Sequence, residues 1–126
     1  MDQAGNLYVA DTWNQRIQVF APDNNGVAQV VLQQWDVEGW HVQSLDNKPY
    51  LDVGPQGSVY VSDPELSRVV VFSPDGKVLA TWGTQGPDGT NLNYPTGVAL
   101  ADDGGVWVSD TKNNRVQFFL NPLSQE

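Results

Sequence analysis

The chain reads as an all-β protein built from antiparallel four-stranded units that repeat along it. Three observations predict this. The stretch GNLYVADTWNQRIQVF at 5–20 returns as GSVYVSDPELSRVVVF at 57–72 and as GGVWVSDTKNNRVQFF at 104–119, offset by 52 and then 47 residues with no gap inside the motif. Within each copy the apolar residues alternate with a period of two, the spacing of a strand. Twelve of the 15 acidic residues are Asp, and Asp favours tight turns where Glu favours helices.

The first strand pair of each unit lies inside the motif. Residues 6–11 and 16–20 predict two strands joined by a short turn. Leu7 and Val9 face one way, Tyr8 and Ala10 the other; Val59 and Val61 oppose Tyr60 and Ser62; Val106 and Val108 oppose Trp107 and Ser109. One face is aliphatic, and the other pairs a large aromatic with a small residue. A sheet apolar on both faces must lie between other layers, and the other copies are the natural neighbours.

A third strand follows each pair. In the first copy it is VAQVVLQQW at 27–35, after the turn cluster at 21–26. In the second it is KVLATW at 77–82, after the hairpin signal SPDG at 73–76. The five-residue difference between the two offsets falls in this hairpin. Long polar connections at 36–48 and 83–95 then lead to short strands, PYLDV at 49–53 and TGVAL at 96–100, and a Gly- and Asp-rich turn re-enters the motif. Each unit therefore has strands A (as TGVAL), B (as GGVWVSD), C (as RVQFF) and D (as KVLATW). The chain is expected to hold B, C, D; A, B, C, D; A, B, C.

Four-stranded units of this period, buried on both faces, are blades of a β-propeller. The run YPTGVALADDGGVWVSDTKNNRVQFF at 94–119 resembles NHL repeats: Pro-x-Gly-Val-Ala in strand A, then aromatic-Val-small-Asp, then Asn and Arg at fixed spacing. The second copy departs from the pattern where Pro64-Glu65-Leu66 replaces Thr-x-Asn, and where Asp52 interrupts strand A. The expected organisation is one NHL-repeat fragment over 1–126, with a partial first blade at 1–47, a second at 48–93 and a partial third at 94–126. Bacterial proteins with such repeats often join them to membrane enzymes or sensors. By that analogy the segment is an extracytoplasmic part of a larger bacterial protein; the compartment itself is not legible.

Composition narrows the partners. The formal charge is −9, from 15 acids against six bases, which argues against nucleic acid and against an anionic membrane surface. No apolar run approaches the roughly 20 residues of a membrane-spanning helix. Without cysteine, a disulfide or thiolate metal site is excluded. The start MDQAGNLYVAD has neither a charged nor an apolar leader region, and Met1 so close to a repeat motif reads as a piece of something longer.

Three blades leave two open faces, and propellers close with roughly four to eight blades. The expected partner is therefore the chain itself, as a homo-oligomer, with a dimer of about six blades favoured; other proteins are a further class of partner. Concatenation does not supply the missing A and D strands.

The motif also defines the candidate site residues. Asp11, Asp63 and Asp110 end strand B, where each can accept hydrogen bonds from backbone N–H groups of the next turn. Arg16, Arg68 and Arg115, the only arginines, begin strand C within reach of those carboxylates. They read as a ring of charges around one mouth of the propeller or, as their repetition favours, as structural closure of the turn. In a meander the B–C turns and D–A loops share one face. Trp13, Asn14, Trp40 and His41 fall there and form a candidate partner-binding surface; the alternative for Trp40 is a plug between blades. No catalytic constellation, metal site or cofactor site is read. The acidic turns at 22–26, 86–91 and 102–105 have oxygen-rich side chains but no EF-hand spacing, and turn chemistry accounts for them. The single His41 falls short of the several histidines that the resemblance to propeller lyases would require.

The function expected is a non-enzymatic scaffold or protein-interaction module that assembles with itself. Two alternatives stand beside it: a metal-dependent lyase-like, lactonase-like or ligand-binding propeller, and a truncated or engineered fragment with no function of its own.

Overall fold

Alternating apolar side chains on both faces of each repeat favour a meander packed between neighbouring sheets. The computed structural model describes residues 1–23, 25, 28–42, 48–120 and 123, with the backbone alone at 28, 29 and 42. Among these residues ten strands form three antiparallel sheets. The first sheet is β1 (Leu7–Asp11), β2 (Arg16–Pro22) and β3 (Ala28–Asp36). The second is β4 (Leu51–Val53), β5 (Val59–Asp63), β6 (Arg68–Phe72) and β7 (Val78–Trp82). The third is β8 (Pro95–Leu100), β9 (Val106–Asp110) and β10 (Arg115–Phe119). Spatial order follows chain order in every sheet. No helix among the described residues is long and apolar enough to cross a membrane.

The B–C hairpins share one register. Asp11 pairs with Arg16, Asp63 with Arg68 and Asp110 with Arg115. The residue before each Arg has a left-handed backbone: Gln15 at φ 61°, Ser67 at 52° and Asn114 at 53°, a conformation that Asn tolerates better than most side chains. The longer first repeat has a longer C–D hairpin, with nine residues in β3 against five in β7 and register shifts beside Val19 and Ala21. Residues 24, 26 and 27 of that turn, 43–47 of the first D–A connection, and most of the tail after 120 lie outside the described residues.

Two apolar clusters join the three sheets. Ile17, Val37, Trp40, Val59, Val61, Val70 and Phe72 fill the space between the first and second sheets. Tyr60, Val69, Val71, Leu92, Val98, Val106 and Val108 fill that between the second and third. A ring contact recurs at both junctions: Trp35 of β3 against Phe72 of β6, and Trp82 of β7 against Phe119 of β10, each with centroids 5.8 Å apart. The outer faces are open. Val69 and Val71 are 0% exposed, whereas their counterparts Val116 and Phe118 in the third sheet are 63% and 39% exposed.

Candidate functional site

The Asp–Arg pairs stand where the hairpin register puts them. Arg16 Nε donates to Asp11 Oδ2 at 2.8 Å, Arg68 Nε to Asp63 Oδ2 at 2.7 Å, and Arg115 Nε to Asp110 Oδ2 at 2.7 Å. The carboxylates of Asp63 and Asp110 are fully buried, while each Arg remains partly open to solvent. Neither the Asp11 nor the Asp110 carboxylate accepts a capping hydrogen bond from a backbone N–H of the following 3-10 turn. The carboxylates are engaged by side chains instead: Asn14 Nδ2 donates to Asp11 at 3.0 Å, and Asn113 Nδ2 to Asp110 at 2.9 Å. An Asx-type turn was the expectation; the Asn three residues on competes for the carboxylate and wins it.

Asp110 ties three segments together. It also accepts from the backbone N–H of Asn93 at 2.7 Å and from Gln117 Nε2 at 3.1 Å. Around it, Arg115 donates to the carbonyls of Gly89 and Asn91, Gln117 to that of Asn91, and Asn113 to that of Gly86. The B–C turn thus staples the D–A loop at 83–95 over the sheet edge and holds Leu92 in the core. Burial pushes the Asp110 carboxyl up, but the bonds from Asn113, Arg115, Asn93 and Gln117 outweigh it and hold it below the ordinary 3.8. Asp11 is likewise lowered, chiefly by Arg16 and Asn14. Asp63 goes the other way: burial raises it, and Arg68 offsets only part of that.

The four residues expected on a partner-binding surface separate. Trp13 is 61% exposed, and His41 is exposed as well. Asn14 is exposed but committed to Asp11. Trp40 does not belong to that surface. It is 0% exposed, packs with Ile17 and Val59, and donates from Nε1 to the Ser62 carbonyl at 3.0 Å. A large apolar ring with one polar atom is best satisfied between two sheets where a carbonyl is within reach. Gly39 beside it leaves the space that Asp63 occupies, since a Cβ there would overlap the Asp63 carboxylate.

Two residues outside the expected site also link the blades. Ser62 Oγ donates to the Thr96 carbonyl at 2.6 Å and accepts from the Tyr50 N–H at 2.9 Å. The small position of the motif was the available signal for it. Asp52, the acid that breaks strand A, accepts from the Leu100 N–H at 2.8 Å and so bridges β4 to β8. Among the described residues no three His, Cys, Asp or Glu side chains gather closely enough to hold a metal ion.

The comparisons agree with this architecture. The family model for the NHL repeat matches residues 1–20 and 92–119. NHL repeat-containing protein 3 of Homo sapiens is 34% identical over 78 residues, covering 60% of this chain and 22% of that protein. The chain thus spans about a fifth of that relative's length. Among solved structures, a streptogramin B lyase superposes with a TM-score of 0.61 at 17% identity, over 94% of this chain and 35% of that one. A catalytically inactive virginiamycin B lyase from Staphylococcus aureus gives 0.58 at 17% identity, over 97% and 40%. At that identity the likeness shows the fold, which is of the β-propeller type. Repeat motif, three stacked antiparallel meanders and family match together place this chain in the NHL-repeat family.

Proposed function

We propose that the chain is a non-enzymatic scaffold whose two open sheet faces are closed by further blades of the same kind. For the 126-residue chain by itself, those blades come from a second copy. The supporting observation is the contrast between equivalent positions. Tyr60 is 4% exposed against the third sheet, and its counterpart Trp107 is 48% exposed, with no further sheet against it among the described residues. At the other end Leu7 is 40% exposed and its counterpart Val59 is 0%.

The two open faces also match each other. At the first junction, Tyr8, Ala10 and Ile17 meet Val59, Val61 and Phe72. The end face offers Trp107, Ser109 and Val116, and the start face offers Leu7, Val9 and Phe20: aromatic, small and aliphatic against two aliphatics and a Phe. A head-to-tail contact of this kind closes into a ring when the rotation allows, and two copies would give six blades, within the propeller range.

Light scattering on a sizing column across a concentration series tests this. A species at a multiple of 13.8 kDa, reduced to monomer by Trp107→Lys, is the expected result. A monomer at every concentration would overturn self-closure. The lyase activity named for the two solved structures is a second reading. The described residues do not fit a metal centre, so no step is derived for it, and stoichiometric tightly bound metal in purified protein would favour it over the scaffold.

A further inference from the structure

Four tight turns share one geometry. In Asp2–Asn6, Gly54–Ser58, Ser73–Lys77 and Ala101–Gly105, the first residue's N–H donates to the fifth carbonyl, and the fourth residue's N–H donates to the first carbonyl. The fourth residue is always Gly, with φ between 83° and 85°, a conformation that a side chain would strain. In three of the four, a side chain of the same turn receives the fifth N–H. Asp2 Oδ1 takes that of Asn6 at 2.9 Å, Ser73 Oγ that of Lys77 at 3.0 Å, and Asp103 Oδ1 that of Gly105 at 2.9 Å. Gly54 stands where the first repeat has Asp2, so the second repeat has no such oxygen. The N–H groups of Gln56 and Ser58 have no acceptor among the described residues; their counterparts, Ala4 and Asn6, both donate to Asp2.

The same exchange of Asp for Gly removes the acceptor of a hydroxyl. Tyr8 Oη donates to Asp2 Oδ2 at 3.1 Å. Its counterpart Tyr60 is 4% exposed, and its hydroxyl has no partner among the described residues. Tyr60 lines a cavity of about 620 Å³ together with Gly54, Gln56 and Ser58, a volume suited to small-molecule ligands. Burial raises the Tyr60 pKa, so the phenol stays a donor. A Cβ at Gly54 would meet its neighbours at 3.6 Å or more, an ordinary packing distance, so a side chain there is sterically tolerated.

Three donors that have no protein acceptor and are open to water therefore surround the place that a carboxylate fills in the first repeat. Three acids, Asp52, Asp102 and Asp103, also line the cavity, and Asp52 already accepts from the Leu100 and Val53 N–H groups. These acids repel a simple anion and attract an ammonium group. We propose that this cavity binds a small zwitterion of the free amino-acid class, with its carboxylate on Tyr60, Gln56 and Ser58 and its ammonium toward Asp102 and Asp103. An apolar ligand side chain would lie against Val53 and Leu100, which also line the space.

The test is titration of the ¹⁵N-labelled chain with glycine, L-leucine and L-lysine, with acetate and propylammonium as half-probes. At least one amino acid is expected to move the Gln56 and Ser58 amide signals saturably, and neither half-probe to do so. Gly54→Asp, which supplies the carboxylate internally, is expected to abolish binding while melting at or above the wild-type temperature. Tyr60→Phe is expected to weaken binding roughly tenfold or more and to leave the melting temperature unchanged, unlike Tyr8→Phe, which loses a made bond. Absence of any saturable shift overturns the proposal. So does equal binding by acetate, undiminished binding in folded Gly54→Asp, or undiminished binding in Tyr60→Phe, which decides the matter should Gly54→Asp fail to fold.

Discussion

Arg68 Nε holds Asp63 Oδ2 at 2.7 Å, while the other oxygen of that carboxylate, Oδ1, is buried without a hydrogen-bond partner. The matching carboxylates are better served, because Asn14 donates to Asp11 and Asn113 to Asp110. The second repeat has Leu66 at that position, on the surface and 46% exposed. A buried acceptor left unmet costs about 1–3 kcal/mol.

Leu66→Asn should therefore stabilise the fold by about 1 kcal/mol, since it removes an exposed apolar side chain and offers an N–H₂ group to Asp63. Urea denaturation with an unchanged m-value checks this. A loss of stability would show that the Pro64–Ser67 turn cannot bring an amide to the carboxylate.

The two buried carboxylates should give opposite pH slopes. Asp110 has a folded pKa below 3.8, so its contribution is present above 3.8 and is lost as pH falls through the folded value. Asp63 has a folded pKa above 3.8, so its contribution is full below 3.8 and declines as pH rises through the folded value. Relative to wild type, Asp110→Asn should lose ground as pH rises toward 3.8, and Asp63→Asn should gain ground as pH rises above it. Melting curves from pH 2 upward, about two units across the range, decide the signs; parallel slopes would contradict the assignment.

Trp40→Ala should cost about 3–5 kcal/mol, the usual range for emptying a buried aromatic site, because it opens a cavity between the first two sheets and frees the Ser62 carbonyl. Chemical denaturation measures it. A variant as stable as wild type would return Trp40 to the surface.

Asp52→Ala should cost about 1–2 kcal/mol and should act across the junction, since of the two bonds it removes one is local, to Val53, and the other belongs to Leu100 of the neighbouring sheet. Hydrogen exchange is expected to quicken at the Leu100 amide more than at amides within β5. Uniform quickening would make Asp52 a local residue of strand A.

Much of the fold was legible because its code is local and repeated. The period of two fixed the strands, the Gly-x-x-aromatic-Val-small-Asp frame fixed the hairpin register, and the repeat spacing brought each Asp opposite its Arg. The candidate site was less so. Trp13 and Trp40 read alike in sequence, as aromatic residues in connections on one face, yet one is exposed and the other fully buried. Nothing within their own segments separates them: Trp40 is buried because β5 of the next sheet presents a carbonyl and an apolar wall to it.

The sequence by itself determined the sheets, their antiparallel order and the pairing of Asp with Arg, since those follow from contacts within one repeat. Tertiary structure alone decided that Trp40 is buried and that Asp52 reaches the neighbouring sheet. Those outcomes depend on groups about 20–50 residues apart in the chain that meet only when one sheet stacks on the next, as Trp40 does with the Ser62 carbonyl and Asp52 with the Leu100 N–H.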